Sequence, residues 1–281
     1  MNLPNFIIIG GMKAGTTVLY QYLKQHPQIY MSPVKETNFF VRDCESLEEY
    51  QTFFQGVSDQ KAIGEASPSY LDHPNVYRRI AHYLPEVKLI AILRNPADRA
   101  YSHFFMKYRQ QLHGMNESEV LNYCTKIFEE DRGMLKRGLY YRHLQNYFNL
   151  FQPQQIKICL YDDLKNDPDA LLQDIFQFID VDEYHLDNFN TYYNKGGITK
   201  NQFFFDVLND VRKYFNTSLR NFFPESFNKK LYSIYNTIRN KNLAKQPKLP
   251  PENRQQLIKV YREDILKLQD FIGRDLSMWL E

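Results

Sequence analysis

The chain has 281 residues, enough for a large domain with a substantial core, and its 43% hydrophobic and 24% charged residues are typical of globular proteins. The formal net charge of +2 provides no global basic field, which argues against nucleic acid as a partner and makes any anion site a local one. The three cysteines lie far apart without a C-x-x-C pair, so neither a zinc site nor a disulfide framework is expected.

The first predicted element is a buried strand, the apolar run from Phe6 to Ile9, which ends in a glycine pair. Residues 17–25 carry apolar side chains at helical spacing, so a strand, a glycine turn and a helix follow one another directly. The apolar run is too short for a signal peptide, and no window approaches the roughly 18 apolar residues of a membrane span. We therefore expect a cytoplasmic chain without a membrane span.

Three more strands and five more helices are predicted further along the chain. The strands are expected at residues 62–65, 87–93 and 156–160, and helices at about 96–107 and 168–179. The last third is predicted to be mostly helical, over residues 203–222, 227–241 and 251–272. Asn95 before Pro96 resembles an N-cap followed by a proline at the first helical position, which supports the helix predicted at about residues 96–107.

Short buried strands that alternate with helices predict an α/β fold, in which a parallel central sheet is covered by helices on both faces and a helical part follows at the C-terminal end. No repeat, low-complexity tract or domain boundary is visible, so we predict a single domain over residues 1–281. Ligands of such sheets bind beyond the carboxyl ends of the strands. The residues that follow each strand are therefore the candidates for a functional site.

The glycine turn after the first strand, residues 10–17 with the sequence GGMKAGTT, has the features of an anion site. A turn of this kind directs backbone N–H groups and the positive end of a helix towards one point. The Walker pattern places its lysine directly after the last glycine, whereas here Thr16 follows Gly15 and the lysine is Lys13. A triphosphatase also needs an acidic residue at a strand end to hold Mg²⁺, and the strongest strand is followed by Arg94. Both departures favour an anion held without an obligatory metal, and a P-loop kinase or triphosphatase remains the alternative.

The pattern K-x-G-T-T after the first strand resembles the phosphosulfate loop of sulfotransferases that use 3′-phosphoadenosine 5′-phosphosulfate (PAPS), enzymes with a P-loop-related α/β fold. The resemblance implies that PAPS is the donor, that adenosine 3′,5′-bisphosphate (PAP) is the product, and that no metal is required. It implies that Lys13 contacts the phosphosulfate and stabilises charge on the bridging oxygen. It also implies that Thr16 and Thr17 bind the 5′-phosphate.

Two later segments are similar to the parts of these enzymes that bind the 3′-phosphate of the donor. The first is LRNPADRAYS, residues 93–102, in which Arg94 and Ser102 have the family's arginine–serine spacing. The second is a Lys-Gly-Gly loop, where Lys200 close by is a further candidate. The donor-binding residues implied by the resemblance are Gly11, Met12, Lys13, Ala14, Gly15, Thr16, Thr17, Arg94, Ser102, Lys195, Gly196 and Gly197.

Residues 35–40, KETNFF, resemble the E-x-x-F-F segment of heparan sulfate and other carbohydrate sulfotransferases and their bacterial relatives, and Glu36 falls on the glutamate that acts there as catalytic base. Phenol and steroid sulfotransferases use a histidine instead, and none of the seven histidines occupies a matching place. The resemblance therefore implies an acceptor hydroxyl on a sugar or glycan, with a small-molecule acceptor as the alternative. Residues 65–70, EASPSY, parallel an E-K-x-P-x-Y stretch of the heparan sulfate enzymes, but Ala66 replaces the lysine and the role of Glu65 stays open.

Overall fold

The computed structural model describes residues 2–43, 46–186 and 246–281, together with isolated positions between 189 and 244. The chain divides into two compact units. Unit 1 consists of Met1–Ala100, Arg132–Tyr193 and Arg254–Glu281, and unit 2 consists of Tyr101–Asp131 and Asn194–Asn253. The predicted organisation as one domain over residues 1–281 stays a prediction.

Unit 1 contains a five-stranded sheet in which every strand pair is parallel, in the order β2-β3-β1-β4-β5. The strands are β1 (Phe6–Gly10), β2 (Ile29–Met31), β3 (Ala62–Ala66), β4 (Lys88–Leu93) and β5 (Ile156–Leu160). The predicted parallel sheet is confirmed. Four of these strands match predicted ones to within a residue, and β2 was not predicted.

Ten helices are described here in chain order, and some of them were not predicted. They are α1 (Thr16–Leu23), α2 (Glu48–Gln51), α3 (Val76–Tyr83), α4 (Pro96–Lys107), α5 (Glu117–Glu130), α6 (Arg132–Lys136), α7 (Tyr140–Phe148), α8 (Tyr161–Asn166), α9 (Pro168–Phe178) and α10 (Pro251–Ile272). In unit 2, the short strands β6 (Ile198–Thr199) and β7 (Leu243–Ala244) pair antiparallel. The predicted helices at 203–222 and 227–241 lie mostly outside the described residues. Within the described part of the chain, no helix has the length and apolar character needed to cross a membrane.

Both faces of the sheet are buried. Phe6 and Ile8 of β1 belong to a core that also contains side chains of α1 and α9, while Ile7 and Ile9, which alternate with them, are also fully inaccessible. A strand covered on both sides has no polar face, which explains its continuous apolar sequence. The α/β class is therefore confirmed.

Helix α4 begins as the sequence predicted. The Asn95 side-chain oxygen accepts hydrogen bonds from the backbone N–H groups of Ala97 (3.0 Å) and Asp98 (3.4 Å). This bonding satisfies donors that have no partner within the helix. The cap fixes the point at which the chain leaves β4, and Arg94 lies at that point.

Candidate active site

The turn between β1 and α1, residues 11–15, is shaped to hold an anion. Gly15 is the N-cap of α1 with φ 99°, and no side chain caps the first turn of the helix. The first N–H groups of a helix have no intrahelical partner, so those of Thr16 and Thr17 are placed for an anionic group at the positive helix end. The N–H of Gly11 donates to the carbonyl oxygen of Ile92 (2.6 Å), which joins the turn to the end of β4. The residues present therefore fit the phosphate of a nucleotide donor.

The close approach at Gly15 predicts a cost for any side chain there. A Cβ atom would lie 2.9 Å from Cδ2 of Tyr161 and 3.1 Å from Cδ2 of Leu164. We expect Gly15→Ala to lower the free energy of unfolding by more than the roughly 1–3 kcal/mol of a strained left-handed residue, because the steric conflict adds to the strain. Urea denaturation measures the loss.

Gly114 provides the matched control for that substitution. Its φ is +83°, but a Cβ atom built on it meets nothing within 4 Å. Gly114→Ala should therefore show the backbone strain without the steric conflict. An equal loss of stability in the two variants would contradict the steric role assigned to the surroundings of Gly15.

Lys13 and Glu36, the two residues predicted to be catalytic, share an uncommon backbone conformation. Lys13 has φ 69° and Glu36 has φ 65°, both in the left-handed region. The other non-glycine residues with positive φ in the described part of the chain are Asn38, Asn75 and Asp180, residue types that tolerate this region. Long side chains held in the left-handed region occur preferentially at functional sites, where the surrounding structure fixes them.

Arg94 contacts the turn from the neighbouring strand. Its guanidinium carbon lies 5.0 Å from the centre of the Tyr161 ring, and its Nη1 donates to the carbonyl oxygen of Lys13 (3.4 Å). The Tyr140 hydroxyl donates to the carbonyl oxygen of Arg94 (2.9 Å). Arg94 is thus fixed beside the anion turn through its side chain and its backbone. The sequence did not predict the contribution of Tyr161, the first residue of α8.

The other residues predicted to bind the 3′-phosphate lie in unit 2 or outside the described residues. Ser102 is a half-buried residue of α4 that belongs to unit 2, while Arg94 belongs to unit 1. The Lys195, Gly196 and Gly197 loop and Lys200 lie outside the described residues. Their assignment to the donor stays a prediction.

Glu36 has a fixed backbone and an accessible side chain. Its N–H donates to the carbonyl oxygen of Ala66 (2.9 Å), which places it at the carboxyl end of β3. The side chain is 49% exposed, and its Oε1 accepts a hydrogen bond from Nζ of Lys35 (2.7 Å). A carboxylate placed in this way is able to contact a substrate.

The strand order brings three candidate groups to the carboxyl ends of neighbouring strands. Glu36 is bonded to the end of β3, the anion turn follows β1, and Arg94 follows β4, and these three strands are neighbours. Adjacent strands lie about 4.8 Å apart, so the backbone attachments of the three groups span roughly 10 Å. Parallel sheets bind ligands beyond these carboxyl ends. Within the described residues, no group of His, Cys, Asp and Glu is arranged to hold a metal ion.

Glu65 at the end of β3 is a buried carboxylate surrounded by hydroxyl groups. It is fully inaccessible and accepts hydrogen bonds from Ser67 Oγ (2.8 Å), Thr37 Oγ1 (3.1 Å) and the Tyr50 hydroxyl (3.2 Å). Burial raises the pKa of the Glu65 carboxyl, and the hydroxyls of Ser67, Tyr70, Thr37 and Tyr50 act in the opposite direction. The surrounding hydroxyl groups therefore satisfy the buried carboxylate.

Comparison with known proteins identifies the family of the chain. The family model described as "Sulfotransferase domain" matches residues 3–235. The chain belongs to the sulfotransferase family. Enzymes of this family transfer a sulfuryl group, and those that the sequence resembles take it from PAPS.

Two relatives and one solved structure show how far the similarity extends. "Membrane-associated sulfotransferase kil1" of Dictyostelium discoideum is 26% identical, with 83% of this chain and 65% of kil1 aligned. Human "Bifunctional heparan sulfate N-deacetylase/N-sulfotransferase 3" is 31% identical over 64% of this chain and 22% of the human protein. This chain therefore spans less than two thirds of the length of either relative. A crystal structure of a sulfotransferase from Alicyclobacillus acidocaldarius has a TM-score of 0.69 at 24% identity and covers both chains completely, which shows the same fold.

Proposed function

We propose that this sulfotransferase transfers the sulfuryl group of PAPS to a hydroxyl group of a sugar or glycan, with Glu36 as general base. The observation that carries the proposal is the arrangement of Glu36, the anion turn and Arg94 along one edge of the sheet. The preference for a glycan rests on the E-x-x-F-F resemblance and on similarity to an enzyme named for heparan sulfate. The predicted cytoplasmic location stays a prediction, and one relative is named as membrane-associated.

The anion turn is proposed to bind and polarise the donor. When bound, PAPS supplies an activated sulfuryl group on a phosphate leaving group. The backbone amides and the hydroxyls of Thr16 and Thr17 bind the 5′-phosphate, because both residues lie at the N-terminus of α1. The Lys13 ammonium group stabilises negative charge on the bridging oxygen, where preorganised charge is most effective. Arg94, fixed beside the turn, binds the 3′-phosphate.

Glu36 is proposed to activate the acceptor. A sugar hydroxyl is a weak nucleophile, and a carboxylate within hydrogen-bond reach accepts its proton as the oxygen attacks sulfur. The new bond joins the acceptor oxygen to sulfur, and the bond from sulfur to the bridging oxygen breaks. The products are the sulfated acceptor, PAP and a proton held on Glu36, which then passes to water. The hydrogen bond from Lys35 Nζ to Glu36 Oε1 restricts the orientation of the Glu36 carboxylate before the acceptor binds.

Ligand-dependent thermal denaturation tests the donor site against the alternative of a kinase or triphosphatase. We expect PAP to raise Tm, since a ligand at 100 times its Kd stabilises a protein by about 2.7 kcal/mol. Adenosine 5′-monophosphate, which lacks the 3′-phosphate bound by Arg94, should raise Tm less. Stabilisation by ATP with Mg²⁺, accompanied by ATP hydrolysis and no response to PAP, would overturn the proposal in favour of the alternative.

An acceptor panel tests the second half of the proposal. Radiolabelled PAPS is incubated with N-acetylated and N-unsubstituted heparosan oligosaccharides, simple sugars and phenols. We expect label on the oligosaccharides, and the N-acetylated substrate separates transfer to oxygen from transfer to nitrogen. Label on phenols alone would support a small-molecule acceptor. Binding of PAP without transfer to any acceptor would indicate a binding protein.

A further inference from the structure

The segment that carries Glu36 is attached to the chain after β3 by a set of hydrogen bonds. We call residues 36–40 the Glu36 loop. Its bonds to residues 65–70 include Glu36 N–H to Ala66 O (2.9 Å), Thr37 Oγ1 to Glu65 Oε2 (3.1 Å), Asn38 N–H to Ser67 Oγ (3.0 Å), Ser69 Oγ to Asn38 Oδ1 (2.7 Å) and Phe40 N–H to the Tyr70 hydroxyl (3.3 Å). The two segments are therefore joined closely, although 28 to 31 positions separate the bonded residues.

Glu65 determines the direction of the bonds at the centre of this set. It has only acceptor atoms when ionised, so Ser67 and Thr37 must both direct their hydroxyl protons towards Oε2. Ser67 Oγ then presents its lone pairs to the N–H of Asn38. A single buried carboxylate thus orients the hydroxyl that holds the backbone of the Glu36 loop.

The loop needs this support because its backbone is strained. Glu36 at φ 65° and Asn38 at φ 49° are both in the left-handed region. Each such non-glycine residue costs on the order of 1–3 kcal/mol and persists only where the surroundings fix it. Aromatic packing also supports the loop, because the Phe39 ring stacks on the Tyr50 ring with ring centres 4.6 Å apart. Tyr50 also donates to Glu65, so the polar and apolar supports meet at the same residue.

Glu65 cannot take the catalytic role itself. Its side chain is fully inaccessible, and its two oxygens are in contact with Tyr50, Ser67 and Thr37. Glu36, in contrast, has half of its side chain exposed.

We propose that Glu65 is a positioning residue for sulfuryl transfer, which acts through Thr37 and Ser67 to hold the Glu36 loop with its carboxylate at the carboxyl edge of β3. The proposal rests on the proposed function of Glu36 as general base. Misplacement of a reacting group by about 1 Å costs up to roughly 10²-fold in rate, which sets the scale of the effect. Loss of the loop geometry should lower kcat and leave the binding of PAP unchanged, because the anion turn belongs to β1 and α1.

Substitutions at both ends of the Thr37–Glu65 bond provide the test. We expect Glu65→Gln and Thr37→Val each to lower kcat about 10- to 100-fold, with the Kd for PAP unchanged. Thr37→Ser keeps the hydroxyl and should restore most of the rate. Because both substitutions break the same bond, the double variant should lose much less than the product of the two separate losses.

Tyr261→Phe controls for a loss of stability without a loss of positioning. It removes the buried hydrogen bond from the Tyr261 hydroxyl to Leu135 O (3.0 Å), which lies outside the Glu36 loop and residues 65–70. We expect kcat to be unchanged in this variant at temperatures where it remains folded. If Tyr261→Phe lowered kcat as much as Thr37→Val did, the positioning role would be overturned.

Two measurements distinguish the positioning role of Glu65 from the role of Glu36 as general base. In a Glu36→Gln background, Thr37→Val should cause no further loss of kcat, since the loop then has no base to position. Hydrogen exchange of the Glu36 and Asn38 amides should be faster in Glu65→Gln, whatever the role of Glu36. If Glu36→Gln lowered kcat strongly while Glu65→Gln kept the wild-type kcat and amide exchange rates, the positioning role of Glu65 would be refuted. The role of Glu36 as general base would then stand. A wild-type kcat in Glu36→Gln, with faster exchange in Glu65→Gln, would refute the base and leave Glu65 as a support of the loop.

Discussion

Glu36→Gln is expected to lower kcat for sulfuryl transfer about 10²- to 10⁴-fold, the range that a general base contributes. Glutamine keeps the size of the side chain and its ability to hydrogen-bond, but it cannot accept the proton of the acceptor hydroxyl. The affinity for PAP should stay within about twofold of wild type, because Glu36 is bonded to the end of β3 and the anion turn follows β1. Steady-state kinetics with PAPS and an accepted glycan measure the first quantity, and calorimetric titration with PAP measures the second.

The control for this prediction is an exposed glutamate outside the site. Glu263 of α10 pairs with Lys267 one helical turn away, and Glu263→Gln should leave kcat unchanged. Glu36→Asp retains a carboxylate on a side chain one methylene shorter, so we expect an intermediate rate. If Glu36→Gln and Glu263→Gln had the same kcat, the base would be a different group.

Lys13→Ala is expected to lower kcat about 10²- to 10³-fold, the loss found when one preorganised group that stabilises developing charge is removed. Negative charge on the bridging oxygen is larger in the transition state than in the bound donor. The change should therefore lower kcat more than it raises KM for PAPS. Lys13→Met, which keeps the length of the side chain without its charge, should behave in the same way, and initial-rate kinetics over a range of PAPS concentrations separate the two parameters.

A lysine on the surface of α5 controls for the general loss of a positive charge. Lys126 is exposed and pairs with Glu130 of the same helix, and Lys126→Ala should have wild-type kinetics. An increase in KM for PAPS with an unchanged kcat in Lys13→Ala would be inconsistent with the role at the bridging oxygen. In that case Lys13 would bind substrate and transition state equally.

The elements that the sequence predicted are those whose pattern is local. Strands β1, β4 and β5 are runs of apolar residues, and Asn95–Pro96 marks the start of α4. Strand β2 has only three residues, too few for a periodic pattern. Helix α5 was missed although it starts with a capping box, in which Asn116 and Glu119 bond each other's backbone N–H groups. The Asn-x-x-Glu spacing in the sequence was the signal that could have found it.

The same distinction applies to the site. The anion turn and Arg94 were found because each lies directly after a strand, within a short segment of characteristic sequence. The contact of Arg94 with Tyr161 and the bond of Thr37 with Glu65 join residues that are 67 and 28 positions apart. Such contacts depend on strand order and leave no periodic trace in the sequence. Glu65 was therefore noticed as part of a motif, while its hydroxyl partners became visible only in the folded chain.

The pairing of the Glu36 loop with residues 65–70 has a consequence for how acceptor preference could be exchanged between related enzymes. A chimera that received a new Glu36 loop without a hydroxyl at position 37 would leave the Glu65 carboxylate buried without one of its hydroxyl donors. Transplanting both segments together keeps these bonds, since each segment satisfies polar groups of the other. The turn after β1 and Arg94 after β4 can stay with the recipient. The unit of exchange is then two short segments that lie apart in the gene and side by side at the end of β3.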